Sequence, residues 1–384
     1  MSRRLLISLI ALFFSCAVES PAAPSFTELP SPDGVDYPTS THLSPDGTTV
    51  GAALYNSTSG QVDAVSWTSA GGTVDIGNLG GEFGSDIFGF SSNNSVAVGQ
   101  SDNGAGFQPF RYTSAGGMVA LGVPSGMVEG AAQGVSADGT VVVGSADDEM
   151  GNGLAFRWTS GTGTTSLGTL SGDLNSGASG ISANGQVIVG GSSSDTTSQA
   201  FRWTSSGGMV GLGQLPGGQG SFAQAVSANG SVIVGGGQNA SGNNEAFRWT
   251  SAGGMVGLGA LDTVNFYSQA NAVTPDGAIV VGTSLVGTSG EGQVFIWDAT
   301  NGMRNLQTLL ETTYGIDLTG WQLSDGEGVS YLADGEIAIS GIGTDPSGNF
   351  DVAWYAVIPE PSTYFLLLLA VPFLFLARRR RLIH

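Results

Sequence analysis

The feature that most constrains this chain is a period of about 46 residues running through nearly its whole length. The clearest unit reads Ala246-Phe247-Arg248-Trp249-Thr250-Ser251-Ala252-Gly253-Gly254-Met255-Val256-Gly257-Leu258-Gly259. Nearly the same words occur at 200–213, and looser versions at 109–122 and 155–168. The anchor aromatics of successive units are Trp67, Tyr112, Trp158, Trp203, Trp249, Trp297 and Trp354, at separations of 45, 46, 45, 46, 48 and 57. Seven units follow, with the last expanded.

A second landmark keeps the same rhythm. It is Ser136-Ala137-Asp138-Gly139 and its relatives beginning at Ser44, Ser91, Ser182, Ser227, Thr274 and Leu332. Asp-Gly and Asn-Gly tolerate positive φ and mark tight hairpins. Each is followed by a short β-branched run, such as Val141-Val142-Val143-Gly144 or Val187-Ile188-Val189-Gly190, that reads as a buried strand. One unit therefore holds four strands. The first leads into the turn, the second is the Val/Ile run, the third is Ala-Phe-Arg-Trp, and the fourth is Met-Val-Gly-Leu-Gly. Four antiparallel strands in this length is the content of a propeller blade, which must stack on neighbours to bury its faces. The expected fold is an all-β, seven-bladed propeller over residues 24–357.

Phase suggests how the ring closes. Ser25-Phe26-Thr27-Glu28-Leu29 looks like a fourth strand with no partners before it, and Val352-Ala353-Trp354-Tyr355 looks like a third strand with no ordinary fourth after it. The segment 25–30 is expected to complete the seventh blade and remove an exposed edge.

Composition narrows the function. The 384 residues include 11 Arg and no Lys against 31 Asp+Glu, a formal charge of −20. All but two of the carboxylates, but only five of the Arg, lie between residues 24 and 358. A nucleic-acid binder needs a basic face, so that class is excluded. The 63 Gly, poor helix formers, argue against a helical protein, and 41% hydrophobic residues are enough to bury a core.

The ends carry sorting information. Arg3 and Arg4, the apolar stretch 5–14 and the small residues at 20–23 read as a signal peptide over 1–23, with a retained anchor helix as the alternative. The one cysteine, Cys16, lies in this leader in a context that fits a lipoprotein poorly, so the mature body is expected to have no disulfide. At the other end, Pro359-Glu360-Pro361 precedes an apolar run over 364–377 and then Arg378, Arg379, Arg380 and Arg381. As a helix the run is roughly 21 Å long, so it spans a bilayer only with help from flanking residues. Arg clusters stay cytoplasmic, so both ends place the body outside the inner membrane.

This tail, 358–384, resembles the PEP-CTERM sorting signal of Gram-negative bacteria: a Pro-Glu-Pro triplet, a short transmembrane helix and an Arg cluster in order. The resemblance implies an exosortase-type transpeptidase as partner, transient inner-membrane anchoring, and delivery to the cell surface or an exopolysaccharide (biofilm) matrix. A plain tail anchor is the alternative. The repeat is similar to the HAF repeat of bacterial extracellular proteins through Ala-Phe-Arg-Trp and Val-Val-Gly, and by fold analogy to kelch repeats. The His that often precedes Ala-Phe in HAF units is Leu154, Gln199 or Glu245 here.

Candidate functional residues are few. The repeated aromatics read as packing between blades. Arg111, Arg157, Arg202 and Arg248 read as bonding to turn carboxylates or carbonyls, with a guanidinium ring for acidic polysaccharide as the alternative. No cofactor is expected. Asp147-Asp148-Glu149 and 345–351 are the candidate calcium loops, without EF-hand spacing. There is no catalytic residue to name: His42 is the body's only histidine, and the body has no Cys or Lys. If the body carries a unique site, its place is the seventh unit, which departs most from the repeat, among Glu311, Asp317, Trp321, Asp325 and Glu327. The leading expectation is an exported surface or matrix protein binding polysaccharide or proteins; the alternative is a polysaccharide hydrolase or lyase.

Overall fold

The computed structural model describes residues 23–29, 35–36, 41–56, 60–264 and 266–359. Seven antiparallel sheets, each built on four strands, follow one another along the chain and form a seven-bladed β-propeller. Blade 3 is representative: Glu129–Val135 lines the axis, then Val141–Asp147, Gly153–Thr159 and, outermost, Gly163–Gly168. In blade 1 the short strand Val35–Asp36 also pairs with Thr49–Asn56. Residues 1–22 of the expected signal peptide, Glu360, Pro361, the apolar run 364–377 and Arg378 to Arg381 lie outside the described residues. Among the described residues no helix is long and apolar enough to cross a membrane.

The Ser-Ala-Asp-Gly word folds as a self-contained turn. Asp138 Oδ1 accepts from Ser136 Oγ (2.6 Å) and Thr140 N (3.0 Å), while Ser136 Oγ accepts from Val141 N (3.0 Å). Gly139 takes φ 71°, a left-handed conformation that favours glycine. These hydrogen bonds hold the Asp138 carboxyl below the usual range. Blades 1, 2, 4, 5 and 6 repeat the Ser/Thr-to-Asp/Asn bond.

The turns also join the blades. Ser92 N donates to Ala137 O, Ala137 N to Ala183 O, Ala183 N to Ala228 O, and Ala228 N to Pro275 O, all at 2.9–3.0 Å. Pro275 has no N–H to pass the chain on to blade 7, and Pro45 has none to offer blade 2.

Packing between blades reveals which aromatic matters most. Phe110, Phe156, Phe201, Phe247 and Phe295 are fully buried. The anchors two residues later, Tyr112, Trp158, Trp203, Trp249 and Trp297, are only partly buried against the same clusters. Residues i and i+2 of a strand share a face, so both serve that face, and the phenylalanine sits deeper. The seventh anchor needs correction. Register pairs Val142 with Trp158 and Val280 with Trp297, and at the corresponding place pairs Ala338 with Val357. Trp354 instead pairs with Gly341, one residue beyond the Phe position on strand two, and so faces the other side of the sheet. It is fully buried in the large cluster with Leu306, Leu310 and Leu323.

The glycine that ends the Val/Ile run is enforced by the inner strand. A Cβ on Gly144 would stand 1.9 Å from Ala131 O, and Gly99, Gly190, Gly235 and Gly282 meet the same obstacle at 1.9–2.0 Å.

The ring is closed by both ends of the chain. Ser25–Glu28 pairs with Val352–Ile358, Ser25 opposite Val357 and Glu28 opposite Trp354. Phe26 packs on Trp354 (5.9 Å between ring centroids) and edge-on to Trp321 (5.0 Å). Between blades 7 and 1, Tyr355 Oη donates to Gly47 O at 2.7 Å, and Ser330 Oγ donates to Pro45 O. The expansion of the seventh unit is a helix, α1 (Leu306–Thr312), capped by Asn305 Oδ1 accepting from Thr308 N, with Leu306 and Leu310 buried.

Candidate functional site

The inner strands of all seven blades surround a central cavity of about 620 Å³. Five of them carry the same β-bulge, one unpaired residue each: Phe88, Gln133, Ser179, Gln224 and Asn271. A bulge re-aims a side chain, and all five of these line the cavity. Blade 1 has no bulge and contributes His42; blade 7 has two, at Ser324 and Glu327. The cavity is thus nearly uniform on one side and irregular where blades 6, 7, 1 and 2 meet.

That irregular side holds the titratable groups. Glu327 Oε2 accepts from Thr41 N (2.5 Å) and Thr41 Oγ1 (2.7 Å), a link from blade 7 to blade 1. Asp325 Oδ1 accepts from Asn271 Nδ2 (3.0 Å) and from Thr283 Oγ1, a link to blade 6. Burial pushes the Glu327 carboxyl up to about 7; the Thr41 hydrogen bonds oppose this, and the Asp325 and Asp86 charges add to it. Burial also raises Asp325, against the hydrogen bonds from Thr283 and Asn271. His42 packs edge-on to Phe88 (5.3 Å), and burial pushes its imidazole down to about 4. Near neutral pH the wall therefore offers a neutral imidazole, a carboxyl that readily gains or loses a proton, three amides and a hydroxyl. A carboxyl pair that cleaves a glycoside must flank the bond; these two come from one strand, each tied to a neighbouring blade.

The remaining residues singled out from sequence fall elsewhere. Glu311 is exposed on α1 and Asp317 accepts from Thr319 N, while Trp321 serves the ring closure. Pro359 O accepts from Tyr314 Oη at 3.4 Å. Asp148 and Asp345 cap their own hairpins in the same way, each accepting from two backbone N–H groups and an Asn side chain. No cluster of three or more His, Cys, Asp or Glu suited to a metal occurs among the described residues. Arg111 and Arg248 donate to the turn carbonyls Gly139 O and Gly277 O of the following blade. The bulge residues escaped the sequence reading, although a signal exists: in each of blades 2 to 6 they stand five residues before the turn Asp or Asn, and in blades 3 to 6 they are one variable position between Ala or Gly neighbours.

The fold and its axial cavity place the chain in the class of seven-bladed β-propellers. No protein-family model matches it, and no relative was found among curated proteins. Among solved structures it is similar to an oligogalacturonate lyase in complex with manganese (TM-score 0.52, 11% identity, covering 88% of this chain and 97% of that one). It is similar to a puromycin hydrolase (0.53, 10%), covering 81% of this chain but only 50% of that one. It is also similar to the propeller domain of the Trilobed protease from Pyrococcus furiosus (0.50, 9%, covering 85% and 95%), which is described as having an open velcro topology. At these identities the likeness is one of fold.

Proposed function

We propose that this is an exported binding protein of the cell surface or exopolysaccharide matrix, sorted by an exosortase-type system through the tail 358–384. Its axial cavity is the ligand site. The observation that carries this reading is the set of bulges, which turns one side chain per blade into a shared pocket in blades 2 to 6. The ring so formed is uncharged, and the carboxyls that blade 7 adds to the cavity are tied into blades 6 and 1, an arrangement suited to holding a polar ligand. Mass spectrometry of the mature termini from the native host tests export: ends near residue 24 and near 359–361 support it, and an intact terminus at His384 refutes sorting. A screen of glycans and surface proteins tests binding. Saturable binding without product formation is expected, and Glu327→Gln should weaken it.

A second reading, a polysaccharide hydrolase or lyase, draws on Glu327, whose proton is exchangeable near neutrality, as a general acid requires. It predicts new reducing ends or unsaturated products, abolished in Glu327→Gln.

A further inference from the structure

A second cavity lies at the opposite end of the blade 5 inner strand, Ser221–Val226, from the turn that follows it. It has a volume of about 560 Å³ and is bounded by blades 4, 5 and 6. In a strongly acidic protein, none of its lining residues carries a charge. They are Ser, Thr, Gln, Asn and Gly, with one aromatic ring, that of Phe222.

The site has been made by glycines the repeat does not need. Gly190 and Gly235 are the repeat's closing glycines, but Gly191 and Gly236, one residue later, are Ser145 in blade 3 and Thr283 in blade 6. Each extra glycine leaves room for a side chain of the next blade. A Cβ on Gly191 would stand 2.2 Å from Phe222 Cδ2 and 2.5 Å from Cε2; a Cβ on Gly236 would stand 2.0 Å from Gln269 Oε1. Phe222 is thereby pinned along one edge while 40% exposed. Gln269 Oε1 accepts from Asn244 Nδ2 (3.1 Å), which also donates to Ser268 O (2.8 Å). Those bonds fix both amides and leave Gln269 Nε2 as a donor and Asn244 Oδ1 as an acceptor.

We propose that this groove binds a neutral oligosaccharide, with Phe222 as the platform for a pyranose face and Gln269 and Asn244 bonding its hydroxyls. Paired amide donors and acceptors match a hydroxyl, which is both. With no cation in the lining, an acidic polysaccharide gains no partner and meets the body's negative field. With no carboxylate there, a cation has no ligand of opposite charge. A single ring offers too little apolar surface to anchor a protein. The inference rests on the binding reading above but on a different site.

The test is calorimetric titration of the full chain with maltohexaose, cellohexaose, xylohexaose and mannohexaose, and with a hexagalacturonate as the anionic probe. At least one neutral hexasaccharide should bind saturably and the anionic one should not. Phe222→Ala should weaken that binding about tenfold or more, the effect of losing a contact worth about 1.4 kcal/mol. Gln269→Ala, which removes an amide without touching the ring packing, should weaken it as well and guards against misfolding of the first variant. Glu311→Gln, exposed on α1 and outside both cavities, should leave it unchanged. Absence of saturable binding to every neutral probe, preference for the anionic one, or wild-type affinity in both groove variants overturns the proposal. Binding lost in Glu327→Gln but kept in Phe222→Ala also overturns it, while leaving the axial cavity as the ligand site.

Discussion

The hydroxyl of Tyr355, in the last strand of the chain, donates to the carbonyl of Gly47 in the first blade's turn at 2.7 Å, and the ring of Tyr355 packs on Trp67 at 5.7 Å. In blades 2 and 5 the corresponding turn carbonyl of the next blade is met by an arginine instead. Blade 7 has Ala356 at the arginine position, and the neighbouring tyrosine takes over the bond to the turn. Tyr355→Phe keeps the ring and removes the bond, leaving Gly47 O buried without that donor. A loss of about 1–2 kcal/mol is expected, read as a lower denaturant midpoint with unchanged m-value.

Removal of residues 25–29 should cost more than any single seam contact. It exposes the edge of Val352–Ile358 and strips Phe26 from Trp354 and Trp321. The melting temperature of the body should fall clearly; an unchanged value would show that this strand does not hold the ring closed.

Phenylalanine and tryptophan of the same repeat should differ. Phe156→Ala empties a fully buried site and should cost about 3–5 kcal/mol. Trp158→Ala, at a half-buried site, should cost about 1–2 kcal/mol despite the larger side chain. Equal losses in chemical denaturation would contradict the depth assigned to the two positions.

Gly144→Ala should be among the worst substitutions in the body, because the new Cβ meets a backbone carbonyl rather than a side chain that can turn away. About 3 kcal/mol or more is expected. Gly117→Ala offers a comparison: its φ of 68° strains an alanine, but nothing lies within 4 Å of the new Cβ. The ranking is checked by the two melting temperatures.

The cavity should set two opposed pH dependences. Glu327 has its folded pKa raised from 4.5 to about 7. Between those values the folded state binds more protons, so this group makes stability fall as pH rises from 4.5 to 7. His42 has its folded pKa lowered from 6.5 to about 4. Between those values the unfolded state binds more protons, so this group makes stability fall as pH drops from 6.5 to 4. In the overlap the two slopes oppose one another. Relative to the parent, Glu327→Gln should gain stability with rising pH between 4.5 and 7, and His42→Asn should lose it between 4 and 6.5. Parallel curves for all three proteins would contradict both assignments.

Much of the architecture was legible in the sequence because a propeller writes each structural need seven times. The turn word survives since Ser136, Asp138 and Gly139 each hold one part of it. Gly144 and its equivalents survive because a carbonyl stands where a Cβ would go. The anchors misled where size was taken for depth: phenylalanine holds its position from Phe110 to Phe295, while the tryptophan position admits Tyr112. Trp354 matched by residue type but not by register, a matter settled only by strand pairing. The axial site was half visible. Asp325 and Glu327 stood out because the seventh unit breaks the repeat, but their partners lie in other blades: Asn271 and Thr283 in the adjacent blade 6, and Thr41 286 positions away, met only through ring closure.

The pairing of Ser25–Glu28 with Val352–Ile358 also decides how the body carries load. Ser25 faces Val357, so both chain ends leave that pair from the same side. Tension applied between the two ends would open the rungs one after another, as a zip opens, instead of straining them together. A body tethered through its C-terminal tail alone loads a different element. The pull enters Val352–Ile358, a strand clamped by Ile337–Thr344 on one side and Ser25–Glu28 on the other, so it must shear two ladders to give way. The ring therefore resists a pull on its C-terminal strand alone better than a pull between its two ends.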